Sequence, residues 1–280
     1  LGKTEEAIES YDRALAIKPE LVETHYNLGN AFRKLGKFDQ AQARYLEALR
    51  LKPDYTEVHY DLGNLLWDFS KWDEAEASFQ QALRLKPDYA AAHNNLGNVF
   101  WTLGKAEEAE ASFQKAADIE PSFAEAHNNL GALYNTYRQF EKAASSLRKA
   151  LELSPQYAEA HNNLGNVYTE LGQIEEAIYS YQKALAIRSD LGDVHSNLGN
   201  ALWETGKLGE SIESFRKALA IQPSDGKTRH SMGDALLYLG KHKEGLKHKR
   251  LGAGVIEFTS DANERFRLLG GTSDPAKDNA

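Results

Sequence analysis

Prolines stand at 19, 53, 87, 121, 155 and 223, each 34 residues from the next except that Ser189 fills the place expected between the last two. Leu-Gly pairs keep the same step at 28/29, 62/63, 96/97, 130/131, 164/165 and 198/199, with Met232-Gly233 as a worn seventh copy. A period of this length marks stacked supersecondary units, none of which buries its apolar face alone. The 280 residues, 41% of them hydrophobic, therefore build one repeated core rather than the one or two globular domains that length alone suggests.

Numbering one repeat 1 to 34 from Val22 places six complete copies over residues 22–225. Positions 3, 7, 10 and 14 are apolar, as in Ala92, Leu96, Val99 and Leu103, which is the spacing of one helical face. A turn follows at positions 15 and 16, often Gly-Lys as in Gly36-Lys37 and Gly104-Lys105, where glycine takes the left-handed conformation. A second helix carries a small residue at position 20 (Ala41, Ala75, Ala109, Ala143, Ala177, Ser211), an aromatic residue or Leu at 24, and Ala at 27. It ends before the proline at position 32, because the residue preceding proline disfavours helical geometry. Glycine at position 8 and the small residue at 20 let the two helices approach closely, and the bulky residue at 24 fills the space beside them.

This pattern of Leu, Gly, aromatic, Ala and Pro at fixed positions resembles the tetratricopeptide repeat, over roughly 250 of the 280 residues. The resemblance implies an all-α fold, a right-handed α-solenoid (superhelix) of stacked antiparallel helix pairs whose first helices line a concave groove. One departure is the histidine at position 4 (His25, His59, His93, His127, His161, His195), where the family carries a large apolar residue.

Leu1-Gly2-Lys3 aligns with positions 14 to 16, so residues 1–21 read as the second helix of a truncated repeat, about Thr4 to Ile17. Its uncovered apolar side invites self-association. Residues 226–251 read as a degenerate seventh repeat in which Lys249 replaces the aromatic residue at position 24, and the basic run KHKEGLKHKR forms a solvated capping helix. Residues 252–280 leave the period: Val255-Ile256-Glu257-Phe258 reads as a short extended segment covering the end of the stack. Asp261 and Glu264 read as the start of a brief helix ending at Leu269-Gly270, and TSDPAKDNA as disordered.

A net charge of −8 and a pI near 5.7 argue against general affinity for nucleic acid or anionic membrane. Zero cysteines exclude disulfides and thiolate chemistry. No apolar run is long enough to span a bilayer and no secretory leader opens the chain, although it does not begin with Met; the compartment is left open, with the cytoplasm favoured. The histidine column tempts a metal reading, but packed helices lie about 8–10 Å apart, whereas zinc needs several ligands each within about 2.1 Å. The expectation is instead that each histidine fills a slot between helices with a hydrogen bond, and that no metal or cofactor is held. Gly252-Ala253-Gly254 lacks the strand and third glycine of a phosphate loop. No catalytic constellation is found, and the chain is expected not to be an enzyme.

At 100° per residue, positions 2, 5, 6, 9, 12 and 13 of the first helix lie opposite the packing arc. Position 6 reads Asn27, Asp61, Asn95, Asn129, Asn163 and Asn197, and position 9 reads Asn30, Asn64, Asn98, Ala132, Asn166 and Asn200. Asparagine is a poor helix former, so something other than helix stability favours it. A primary amide donates and accepts, which suits a peptide backbone whose side chains are to be ignored. Trp67, Trp101 and Trp203 share position 12, and Tyr26 and Tyr60 share position 5; large aromatic residues beside amides resemble binding hot spots. The competing account is that the asparagines bridge neighbouring helices and the tryptophans pack between them.

The asparagine ladder is similar to that of the repeats of O-linked N-acetylglucosamine transferases, in which such residues hold an extended peptide by its backbone. A carboxylate clamp is not supported, since position 2 is mainly acidic (Glu23, Glu57, Glu125, Glu159, Asp193). With Asp68, Glu170 and Glu204 at position 13, the groove favours a basic or neutral segment. The expected function is a protein-protein interaction scaffold that binds an extended peptide. The alternative is the substrate-recruiting arm of a larger enzyme, such as a glycosyltransferase, whose catalytic domain lies outside this sequence.

Overall fold

The computed structural model describes residues 2–253, so the expectations for residues 254–280 lie outside the described residues. Fifteen helices and no strands are found among those residues. In chain order they are α1 (Gly2–Ile17), α2 (Val22–Lys34), α3 (Phe38–Leu51), α4 (Thr56–Asp68), α5 (Trp72–Leu85), α6 (Ala90–Thr102), α7 (Ala106–Ile119), α8 (Ala124–Thr136), α9 (Phe140–Leu153), α10 (Ala158–Glu170), α11 (Ile174–Ile187), α12 (Gly192–Glu204), α13 (Leu208–Ile221), α14 (Gly226–Tyr238) and α15 (His242–Gly252). Even-numbered helices begin at position 1 of each copy and odd-numbered helices form the second member of each pair. The arrangement is an all-α helical repeat solenoid. It divides into two compact units that part between Leu133 and Tyr134, inside α8.

Each turn from first to second helix passes through the left-handed region at position 15. Gly36, Gly104, Gly172, Gly206 and Gly240 have φ of 71° to 76°, and Ser70 and Arg138 hold the same place at 57° and 58° without the freedom of glycine. Within a pair the close approach at position 8 is literal: a Cβ on Gly97 would lie 2.6 Å from Phe113 Cε1, and one on Gly199 2.5 Å from Phe215 Cε1. The ring at position 24 lies against the glycine, and Tyr45, Phe79, Phe113 and Phe215 are almost wholly buried. Ala41, Ala75, Ala109, Ala143 and Ala177, at position 20, have no exposed surface, as the close approach requires.

Successive helices pack on one another within each unit, from α1 to α7 in the first and from α9 to α15 in the second. First helices of neighbouring copies also meet directly, α4 with α6, α10 with α12, and α12 with α14. Those direct contacts bring the polar columns of one copy against those of the next.

The worn seventh copy keeps the logic with different residues. Lys249 lays its stem over Gly233, with Cγ 2.6 Å from where a Cβ would be, and its ammonium bonds Asp234. The aromatic position has thus been replaced by an amphipathic side chain that covers the glycine and carries its charge to a carboxylate. Asp225 caps α14 by accepting from the backbone N–H groups of Lys227 and Thr228. Burial opposes ionisation of its carboxyl, but the bonds from Thr228 and Lys227 prevail and hold it below its usual range.

Candidate functional site

The histidines at position 4 behave as the sequence suggests. Nε2 donates to the carbonyl six residues earlier, at Pro19 for His25 (2.7 Å), Pro53 for His59 (2.8 Å), Pro87 for His93 (3.0 Å), Pro121 for His127 (3.2 Å), Pro155 for His161 (3.1 Å) and Ser189 for His195 (3.1 Å). Each imidazole ties the start of a first helix to the end of the preceding second helix, and Arg229 makes the same bond to Pro223 in the seventh copy. An acceptor carbonyl requires the proton on Nε2.

The asparagine columns bond across copies. In the first unit, Asn95 Nδ2 donates to Asn64 Oδ1 at 2.7 Å and to the Tyr60 hydroxyl at 3.2 Å. Asn129 Nδ2 donates to Asn98 Oδ1 at 3.3 Å and Asn94 Oδ1 at 2.9 Å. In the second unit, Asn197 Nδ2 donates to Asn166 Oδ1 at 3.1 Å and Asn162 Oδ1 at 3.4 Å. The rule is that position 6 of one copy donates to positions 9 and 5 of the copy before it. In the two copies whose position 24 is tyrosine, its hydroxyl donates to position 9 of the same copy: Tyr45 to Asn30 at 2.5 Å and Tyr181 to Asn166 at 2.9 Å.

The consequence is a fixed polarity. Asn64, Asn98 and Asn166 direct their oxygens into the stack and form no bond through Nδ2 among the described residues, while all three remain half-buried rather than sealed. Asn163 is half-buried, Asn27 and Asn200 are exposed, and Ala132 interrupts the position-9 column.

Three places depart from the pattern expected of an open polar arc. Asn94 and Asn128, at position 5, are buried, with 0% and 6% exposure; Asn94 Nδ2 reaches Glu125 Oε1 of the next copy at 2.9 Å. Helical geometry alone places position 5 outward, but Glu125 of the next first helix comes over Asn94. Asp61 accepts from the Tyr26 hydroxyl at 2.7 Å and pairs with Arg33 at 3.3 Å, so its charge is balanced within the first unit. Burial pushes the Tyr26 hydroxyl up to about 12, and the Asp61 carboxylate adds to the rise. The tryptophans are half-buried against other rings: Trp67 on Trp72 at 4.7 Å, Trp101 on Phe113 at 6.4 Å, and Trp203 on Tyr238 at 5.8 Å. Tyr60 lies 4.8 Å from the ring of Tyr89.

Position 12 also holds residues that sequence reasoning passed over. Asn135 and Thr169 stand there in two successive copies where three other copies carry tryptophan, and a cavity of about 390 Å³ opens in the second unit, lined by both together with Asn166, Glu170, Tyr181 and Asn200. Asn135 Oδ1 is shut off from solvent and has no hydrogen-bond partner among the described residues, a state that costs about 1–3 kcal/mol. The break in the tryptophan column was visible in the sequence and is the signal that points to this cavity.

No three His, Asp or Glu side chains group as metal ligands among the described residues. No helix among them is long and apolar enough to cross a membrane. Fold and site together define a helical repeat protein whose copies are joined by an amide column along their first helices. Family models of the tetratricopeptide repeat match residues 60–124 and 192–225, and a TPR repeat model matches 1–36, 29–68, 139–172 and 165–206. The chain belongs to the tetratricopeptide repeat family, which suggests a protein-protein interaction scaffold.

None of the curated proteins matches the chain. Among solved structures, the APC/C hetero-tetramer Cut9-Hcn1 is similar with a TM-score of 0.73 and 18% identity over 84% of this chain. The match spans 46% of that chain's length. YrrB, described as a TPR protein with an unusual peptide-binding site, is similar with a TM-score of 0.54 and 24% identity, over 65% of this chain and 94% of its own. The MamA protein is similar with a TM-score of 0.52 and 26% identity, over 61% of this chain and 94% of its own.

Proposed function

We propose that the chain is a non-catalytic scaffold that holds an extended segment of a partner protein by its backbone, through the asparagine columns at positions 6 and 9. The observation that carries this reading is the polarity of the columns. The oxygens of Asn64, Asn98 and Asn166 are committed to the next copy, so among the described residues their amide N–H groups are left to meet acceptors from outside. Asn197 has no bond to its Oδ1 among the described residues and offers an acceptor beside them. Donors and acceptors alternating along one face match the C=O and N–H groups of an extended peptide and are indifferent to its side chains. The similarity of the ladder to that of O-linked N-acetylglucosamine transferase repeats supports the same mode. The carboxylates of Glu170 and Glu204, unpaired among the described residues, favour a basic or neutral segment over an acidic one.

The test separates binding from folding by using the asymmetry of position 9. Asn64→Asp, Asn98→Asp and Asn166→Asp together keep the oxygen that accepts from the next copy and remove the outward N–H donors. Neutral extended peptides selected on the wild-type chain from a displayed library should lose at least tenfold in affinity on this variant, measured by calorimetry, while the melting temperature stays close to that of the wild type. Retained affinity, or a library that yields no binder, refutes the proposal.

A further inference from the structure

We infer that the second unit holds a subsite for one arginine side chain of the bound segment, in the cavity lined by Asn135, Asn166, Thr169, Glu170, Tyr181 and Asn200. The inference rests on the peptide-binding reading above and adds to it the identity of a ligand residue.

The cavity exists because of a local change in one column. In the first unit, position 12 is filled by Trp67 and Trp101, whose rings pack on Trp72 and Phe113. In the first two copies of the second unit, before Trp203, Asn135 and Thr169 take that position with side chains too small to occupy the same space, and about 390 Å³ is left, within the range of roughly 300–1,000 Å³ typical of ligand pockets.

The chemistry of its wall selects the occupant. Glu170 has no ion pair or hydrogen bond among the described residues, and no cation lines the cavity. Asn135 contributes an oxygen without a partner. Asn197 also lines the cavity, with an Oδ1 that accepts no bond among the described residues. The Tyr181 hydroxyl gives its proton to Asn166 Oδ1, so it offers no donor to the cavity. Burial first, and then the charges of Glu204 and Glu170, push that hydroxyl up to about 12, in keeping with a negative field that no cation balances.

A guanidinium answers both needs at once. It carries five donors in a planar fork, reaches a carboxylate and a second acceptor together, and loses less hydration than an ammonium. The backbone carbonyl of the same residue then accepts from Asn166 Nδ2, which is otherwise unused among the described residues. Side chain and backbone are thus read by adjacent groups of one cavity.

Two capped Ser/Gly peptides serve as probes, one with a single central arginine and one with citrulline, its neutral isostere, in that place. Side-chain amide resonances of the labelled full chain report each site. The arginine peptide should shift Asn135, Asn166 and Asn200 with about tenfold higher affinity than the citrulline peptide, and Glu170→Gln should abolish the difference. Thr169→Trp installs the residue that position 12 carries in three other copies; with the melting temperature kept, it should block the shifts at this cavity and leave those of Asn64 and Asn98 unchanged. Equal affinity for the two peptides, or a preference that survives Glu170→Gln, overturns the arginine subsite while leaving backbone binding in place. If neither peptide shifts any asparagine amide in either unit, both the subsite and the peptide-binding reading fall.

Discussion

A single left-handed residue in each turn aims the second helix back along the first, and five of the seven copies meet that demand with glycine. Ser70 meets it at φ 57° with a side chain that resists this region. Ser70→Gly should therefore stabilise the protein by about 0.5–1 kcal/mol, the relief of strain being partly offset by the entropy of glycine in the unfolded chain. A rise in the urea midpoint with an unchanged slope would bear this out; a fall would mean that the turn is held by something other than its conformation. The same scale explains the histidines. The histidines at position 4, expected to form structural hydrogen bonds, each reach a carbonyl only six residues away, a partner near enough in the chain to be anticipated.

At the scale of the helix, the polar arc proves to be two layers. Position 5 is covered where Asn94 meets Glu125 of the next first helix, position 9 faces both ways, and position 6 joins them, as in the bonds from Asn95 to Tyr60 and Asn64. Asn95→Ala should lower stability by about 1–2 kcal/mol in chemical denaturation, because it removes two cross-copy bonds and strands the Asn64 oxygen. A surface asparagine without such bonds would change stability by less than about 0.5 kcal/mol. For this reason an alanine scan of position 6 confuses binding with stability, and the aspartate substitutions at position 9 do not. The helical wheel placed positions 6 and 9 correctly on the arc away from the pair's own core. It had no means of placing Asn94, because the surface that covers it belongs to a neighbour 31 residues on, at Glu125.

At the scale of the whole molecule, the buried tyrosines link the fold to pH. Tyr26, Tyr45 and Tyr89 in the first unit and Tyr181 in the second are each pushed up to about 12, with burial the largest cause. The folded state thus favours the neutral phenol. The stabilisation this brings is complete below the unfolded value near 10 and is lost as pH rises toward 12. Helicity followed by circular dichroism should fall between pH 10 and 12 together with the appearance of tyrosinate absorbance. Tyrosinate forming near pH 10 with helicity intact would show that these hydroxyls are not held by the fold.

What the sequence by itself determined is whatever the 34-residue period carries: the helix pairs, the left-handed turn, the glycine beneath the ring at position 24, and the histidine bond. These depend on partners within one copy or across one short connection, so each copy repeats the instruction in full. Only the tertiary structure decided which atom of each asparagine faces the stack, that Asp61 is neutralised by Arg33 and Tyr26, and that Asn135 and Thr169 leave a cavity where tryptophans stand elsewhere. Those outcomes are set by partners 28 to 35 residues away, on a different copy. The identity of an asparagine states that it can donate and accept, and its neighbours decide which of the two is left for a ligand.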